Sequence, residues 1–250
     1  MKKGNQSMDN RLKTIMDNYE SMVVGLDDTF RFHCKMCGKC CTHREDIMLN
    51  PQDVYRIAKA LNKAPAEIVT EYCDTYLGQS SRMVIVRLLP QGSVKRCPFL
   101  KDQKCSIHKA KPTVCALYPL GRSMKAVNDG RARIMEAQVE YICQRPTCGD
   151  TSETHSVREW LSEFGLLEDE EFFKRWMQLA ADIGMTIRDV ESKCSDKVID
   201  ALAVSVLVGV YLNYSIDKPF LPQFLENDKQ YRETMSKLLL EFGIPNRLNT

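Results

Sequence analysis

Apolar residues return every three or four positions along much of this chain and alternate with polar ones over a few short runs. Between residues 9 and 24, Leu12, Ile15, Met16, Tyr19, Val23 and Val24 form such a stripe, which predicts an amphipathic helix. Asn50-Pro51-Gln52-Asp53 then supplies an N-cap, a proline at the first helical position and an acid at the third, ahead of Val54, Ile57, Ala58 and Leu61 on one face. A second helix is expected from Ala64-Pro65-Ala66-Glu67 onward, with Ile68, Val69, Tyr72, Cys73 and Tyr76 apolar and Gly78 as its stop. The β-branched run from Met83 to Pro90 reads as a strand. The alternation of Met135, Ala137, Val139 and Tyr141 between Arg133 and Tyr141 reads as another.

Beyond Gly149 helical patterns dominate. Ser156-Val157-Arg158-Glu159 is a capping-box sequence, with Trp160, Leu161 and Phe164 behind it and Gly165 as a stop. Further helices are expected from Glu168 to Gly184, near 187 to 214, and from Asp228 to Phe242. The longest apolar run, Ala201 to Tyr214, contains Ser205 and Asn213 and is shorter than the roughly 18 residues a bilayer span requires, so it reads as a buried helix. No internal repeat or low-complexity segment appears. The pattern predicts an α+β fold that is mainly α: an N-terminal helix over 1–31, a cysteine-rich metal-binding domain with a small β-sheet over 32–150, and a helical region over 151–250.

Composition changes this picture in one respect. With 250 residues, 44% hydrophobic and 27% charged, the chain can bury a core without covalent staples. The formal charge of +2, from 35 basic and 33 acidic residues, gives no overall field favouring nucleic acid or an anionic membrane, and neither is expected as a partner. Residues 1–10 lack the apolar run of a signal peptide, and the expected location is the cytoplasm. Eleven cysteines, however, exceed what packing in a reducing compartment needs. Cys73 lies on the predicted helix between Tyr72 and Tyr76 and reads as a small buried hydrophobe.

Apart from Cys73, the thiols up to Cys148 fall in four groups: Cys34, Cys37, Cys40 and Cys41; Cys97 and Cys105; Cys115; and Cys143 with Cys148. Only the thiolate is a good ligand, and clustered thiolates repel one another unless a cation neutralises them. Metal binding therefore explains the set better than a disulfide framework does. Cys40 and Cys41 are adjacent, and in an extended segment they would point oppositely, so they serve two centres or one of them lies off the site. Zinc takes pairs of cysteines from separate places. Cys34, Cys37 and Cys40, at successive spacings, suit three corners of an iron-sulfur cluster, with a remote fourth such as Cys97 before Pro98. The expected cofactor is an iron-sulfur cluster or a zinc ion, with iron-sulfur ahead. His33, His43 and His108 neighbour thiols and are alternative ligands; Cys143 is undecided, and His155, at a helix start, is expected at the surface.

The ordered series Cys34-x2-Cys37-Gly38-x-Cys40-Cys41, Cys97-Pro98-Phe99-Leu100, Cys105-Ser106-Ile107-His108, Lys111-Pro112-Thr113-Val114-Cys115 and Tyr118-Pro119 resembles the YkgJ-type cysteine-cluster (CxxCxxCC) family of zinc- or iron-chelating domains. The helix start at Leu49-Asn50-Pro51-Gln52-Asp53-Val54 fits it too, and the resemblance runs from about residue 32 to 164. It implies Cys34, Cys37, Cys40, Cys41, Cys97, Cys105 and Cys115 as metal ligands, with Cys148 before Gly149 as a further match. Lys111-Pro112 stands where Arg-Pro is frequent, and His108 where Tyr is; neither change removes a thiol. Pro112 and Pro119 restrict the backbone on both sides of Cys115.

Function is less determined than chemistry. The first reading is a metal-binding protein with a redox or metal-handling role, whose partners are the metal or cluster and another protein. The alternative is an enzyme, because the cysteine cluster is similar to that of flagellin lysine N-methylase, which implies methyl transfer to a protein lysine. Against it, no glycine-rich strand-to-helix loop and no C-x3-C-x2-C run is present. Binding of S-adenosylmethionine in calorimetry separates the two. Under a third reading the metal is a staple for an interaction module, but Trp160, Phe164, Phe172, Phe173 and Trp176 read as core.

Overall fold

Phe30 and Phe32 alternate with Thr29, Arg31 and His33, and that period-two pattern builds the strand Thr29–His33, its two rings buried and its other side chains turned outward. The computed structural model describes Lys13 and residues 15–125, 134–241 and 243–244. Of the predicted elements, residues 9–12 and 14 of the first helix, Arg133 and Phe242 lie outside them. The chain forms two units, each drawn from two separate stretches: Met1–Lys35 with Leu117–Leu167, and Met36–Ala116 with Glu168–Thr250. The fold is α+β and mainly α, with small antiparallel sheets.

In the first unit, helix 15–22 leads into Val23–Val24, which pairs with Val139–Cys143; that strand pairs in turn with Leu120–Met124. The predicted strand at 133–141 thus begins later, after a 3-10 turn at Ile134–Glu136, and runs on to Cys143. Thr29–His33 pairs with Asp150–Ser156, and the chain passes directly into the helix Val157–Glu163. The predicted capping box forms, with Ser156 Oγ accepting from Glu159 N and a Glu159 oxygen accepting from Ser156 N. Trp160 packs edge-on to Phe30 and Phe32, at centroid distances of 5.6 and 5.7 Å, and donates its indole N–H to the Leu117 carbonyl. Gly165 ends this helix at φ +63°.

In the second unit, Val84–Leu88 is the central strand between Met48–Leu49 and Cys73–Leu77. The helix Pro51–Leu61 has the predicted cap, and Pro65–Tyr72 follows it. That second helix stops earlier than its apolar period suggests. Residues 73–77 instead pair with 84–88, because the backbone partners and β-branched face of Val84–Leu88 outweigh a local helical pattern. Glu170–Glu191, Asp196–Val206, which continues as a π-helical turn over Leu207–Leu212, and Phe220–Glu241 complete the unit. Ile57, Ile68, Val86, Phe172, Leu179, Ile183, Tyr211, Phe224, Met235 and Leu239 share one core. Gly184 does not end its helix as its sequence position suggests: a Cβ there would lie 2.3 Å from the Ser81 carbonyl, so its small size admits the hairpin loop. No helix is long and apolar enough to cross a membrane among the described residues.

Candidate metal centre

The thiols of the second unit are brought together by backbone before any side chain interacts. Gly38, at φ +70°, opens a 3-10 turn over Lys39–Cys41, and a Cβ on it would sit 2.9 Å from Leu100 Cδ1 and 3.0 Å from the Gln103 carbonyl. The missing side chain lets the turn lie against the hairpin Leu100–Cys105, whose tip residues Asp102 and Gln103 both have positive φ. Cys97 N donates to the Cys41 carbonyl at 2.8 Å, and His43 N to that of Val94 at 2.8 Å, joining the first cysteine group to the second.

Cys115 arrives on the short helix Thr113–Leu117. Buried Asp53, third residue of the helix Pro51–Leu61, accepts through Oδ1 from both the backbone N and the hydroxyl of Thr113, each at 2.7 Å. The same carboxylate accepts from Asn50 N through Oδ2 at 3.1 Å.

The sulfurs of Cys40 and Cys41 are 3.9 Å apart. Adjacent cysteines were expected to point oppositely, but that holds for extended backbone; a 3-10 turn rotates neighbours by only about a third of a circle. The pair divides its proton unequally. A hydrogen bond from the Cys41 thiol, helped by Arg44 and Lys111, lowers Cys40 to about 6, against the opposing effect of burial. Cys41 rises because it is the donor, because it is partly buried, and because Cys40, Cys97 and Cys105 oppose a further negative charge. Burial likewise raises Cys97, with Cys105 and Cys40 adding to it, and lifts Cys115 to about 12 against the pull of Arg44. Five predicted ligands, Cys40, Cys41, Cys97, Cys105 and Cys115, therefore feel one another's charge. Cys37 is exposed on the loop ahead of Gly38. Among the described residues no three His, Cys, Asp or Glu side chains converge closely enough to close round an ion.

Cys34, Cys143 and Cys148 belong to the first unit. Asp150 joins the flanks of Cys34: its carboxylate pairs with Lys35 Nζ at 2.7 Å and lies 3.6 Å from His33 Nδ1. His33 also meets Ser152 Oγ at 3.0 Å and Glu153 at 3.6 Å. Cys148 is held by its neighbours, since Thr147 N donates to the Tyr118 hydroxyl at 2.6 Å and the Tyr118 ring packs on Phe32. Gly149, at φ +71°, passes so close to His33 that a Cβ would fall 2.4 Å from its carbonyl oxygen. Gly149→Ala is accordingly expected to cost about 2 kcal/mol or more, from the left-handed backbone and the clash together. Urea unfolding followed through Trp160 in a Trp176→Phe background measures it; an unchanged midpoint refutes it.

The remaining candidates separate. Cys73 lies at the start of a strand and is raised to about 12 by burial alone. His43 is exposed, and His108 begins a 3-10 turn. His155 is partly exposed at the surface, as expected, with Nε2 2.9 Å from the Phe32 carbonyl and the ring 5.0 Å from Trp160. Sequence reasoning missed Arg44, Lys111, Asp53 and Thr113. Arg44 and Lys111 follow or precede ligand groups in the chain, a legible signal, whereas the Asp53–Thr113 pairing spans 60 residues.

All eleven cysteines are free thiols. Residues 33–149 match a family model described as a putative zinc- or iron-chelating domain. No curated protein and no solved structure matches the chain.

Proposed function

We propose that this protein, whose residues 33–149 match the model of the CxxCxxCC zinc- or iron-chelating domain, holds an iron-sulfur cluster, with zinc as the second choice, through ligands drawn from Cys34, Cys37, Cys40, Cys41, Cys97, Cys105, Cys115 and Cys148. The observation that carries the reading is that backbone hydrogen bonds tie the Cys40–Cys41 turn, its two sulfurs 3.9 Å apart, to the loop of Cys97, where Cys105 and Cys115 are near enough for their charges to oppose further ionisation. A protein gains nothing by assembling acids that hinder one another's ionisation unless a cation takes the protons' place. Arg44 and Lys111 fit the same purpose, because a centre ligated by several thiolates carries net negative charge, which fixed cations offset.

When bound, an iron-sulfur cluster supplies one-electron chemistry, and zinc supplies a structural clasp. The residues named here bind and orient it. A redox or metal-handling role follows from that chemistry, and a reducing cytoplasm is the compartment that keeps such thiols available.

Purification without oxygen from iron-replete cells tests the proposal through absorption, elemental analysis and sulfide assay. The expected result is a broad brown absorbance with stoichiometric iron and sulfide. Colourless protein with stoichiometric zinc replaces iron-sulfur by zinc, and substoichiometric amounts of both overturn chelation.

A further inference from the structure

We infer that Asp53 is a positioning residue for the metal centre, aiming Cys115 by clamping the first turn of the helix on which it stands. The inference rests on the reading of Cys115 as a ligand and goes beyond it. Thr113–Leu117 is five residues long, and a helix of that length does not hold itself in water. Its first turn is fixed instead by the two donors of Thr113, both ending on Asp53 Oδ1 at 2.7 Å. Asp53 is 2% exposed and is itself fixed in the capping box with Asn50, whose side-chain oxygen accepts from Asp53 N at 2.8 Å. A rigid eleven-residue helix thereby sets the direction of a sulfur two residues from the clamp.

The clamp and the cap use different oxygens of one carboxylate, and this makes the inference separable from simple stability. Asp53→Ala removes both. Asp53→Asn keeps a carbonyl oxygen for Thr113 and loses the acceptor for Asn50 N. Asn50→Ala removes the side-chain oxygen that caps Asp53 N and the 3.4 Å contact of Asn50 Nδ2 with the Thr113 hydroxyl, and leaves both bonds from Thr113 to Asp53.

The readouts are the sulfur-to-cobalt charge-transfer absorbance of cobalt-loaded protein, which scales with the number of thiolate ligands, and the rate at which a chelator removes the metal. Asp53→Ala is expected to lose intensity corresponding to one thiolate and to release metal at least tenfold faster. Asp53→Asn and Asn50→Ala keep the intensity and stay within twofold in rate. Thr113→Val, which loses one of the two donors, falls between and covers the case in which Asp53→Ala does not fold. Unchanged intensity and rate in Asp53→Ala, or equal changes in Asp53→Ala and Asn50→Ala, overturn the inference. If the wild-type chain binds no metal, the chelation reading fails separately, and alkylation of Cys115 by iodoacetamide decides the clamp: faster in Asp53→Ala than in Asn50→Ala supports it, equal rates refute it.

Discussion

Stripped of metal by a chelator, the protein is expected to lose hydrogen-exchange protection across residues 36–46 and 91–105, while Glu170–Glu191 and Phe220–Glu241 keep theirs. Beyond their backbone hydrogen bonds, the two segments bury little to order them: Phe99 is their one buried residue. They also carry a disproportionate share of backbone strain. Of seven non-glycine residues with positive φ among the described residues, five lie here: Met36, His43, Lys95, Asp102 and Gln103, at 47°, 56°, 48°, 47° and 60°. At about 1 kcal/mol for each left-handed residue, these loops oppose their own conformation by about 5 kcal/mol. Metal in a thiolate site supplies on the order of 10 kcal/mol, enough to reverse the balance. Exchange followed by mass spectrometry, with and without chelator, reads the difference peptide by peptide, and equal protection in both states is the outcome that sinks the prediction.

Arg232→Ala is expected to cost about 3–5 kcal/mol, far more than any exposed ion pair of this chain. Arg232 reaches from Phe220–Glu241 to Asp182 on Glu170–Glu191 at 2.8 Å and to Asp228 at 2.7 Å. The Asp182 side chain is only 6% exposed, so removing the guanidinium strands a carboxylate with Gln178 as its remaining side-chain partner. An exposed pair such as Arg158 with Asp27 contributes about 1 kcal/mol at most. Adding Asp182→Asn to Arg232→Ala removes the stranded charge and is expected to recover at least half of the loss. Equilibrium urea unfolding measures both variants; a single-variant loss below about 1 kcal/mol, or no recovery in the double variant, contradicts this account.

The elements legible in the sequence are those whose signals lie within one turn of chain. Asn50, Pro51 and Asp53 define a helix start, as do Ser156 and Glu159, and both form as written. Pairings across long separations were not legible. Asp150–Ser156 lacks a strong pattern alone and becomes a strand because about 120 residues of chain return it to the alternating Thr29–His33. Cys73 and Tyr76 continue a helical period and still join a strand, since Val84–Leu88 offers them partners. Phe220–Glu241 begins before the expected Asp228, because Pro222 stands in its first turn, where no backbone N–H is needed.

The candidate site divides in the same way. Its thiols were legible as a list because ligand chemistry restricts residue type. Their grouping was not, since Gly38 against Leu100 and Asp53 against Thr113 are contacts of folded chain. Nor does a one-dimensional boundary near residue 150 describe units that each combine two stretches.

The core of the second unit is closed by its last long helix, where Met235 and Leu239 pack in one cluster with Ile57 and Val86. During synthesis, the loops from Cys37 to Cys115 leave the ribosome well before that helix exists to complete their support. For a time the nascent chain is thus a flexible, thiol-rich peptide, open to whatever delivers metal and equally to oxidants. The order of elements along the chain makes loading a race against damage, one that a circularly permuted version beginning at Glu168 would not have to run.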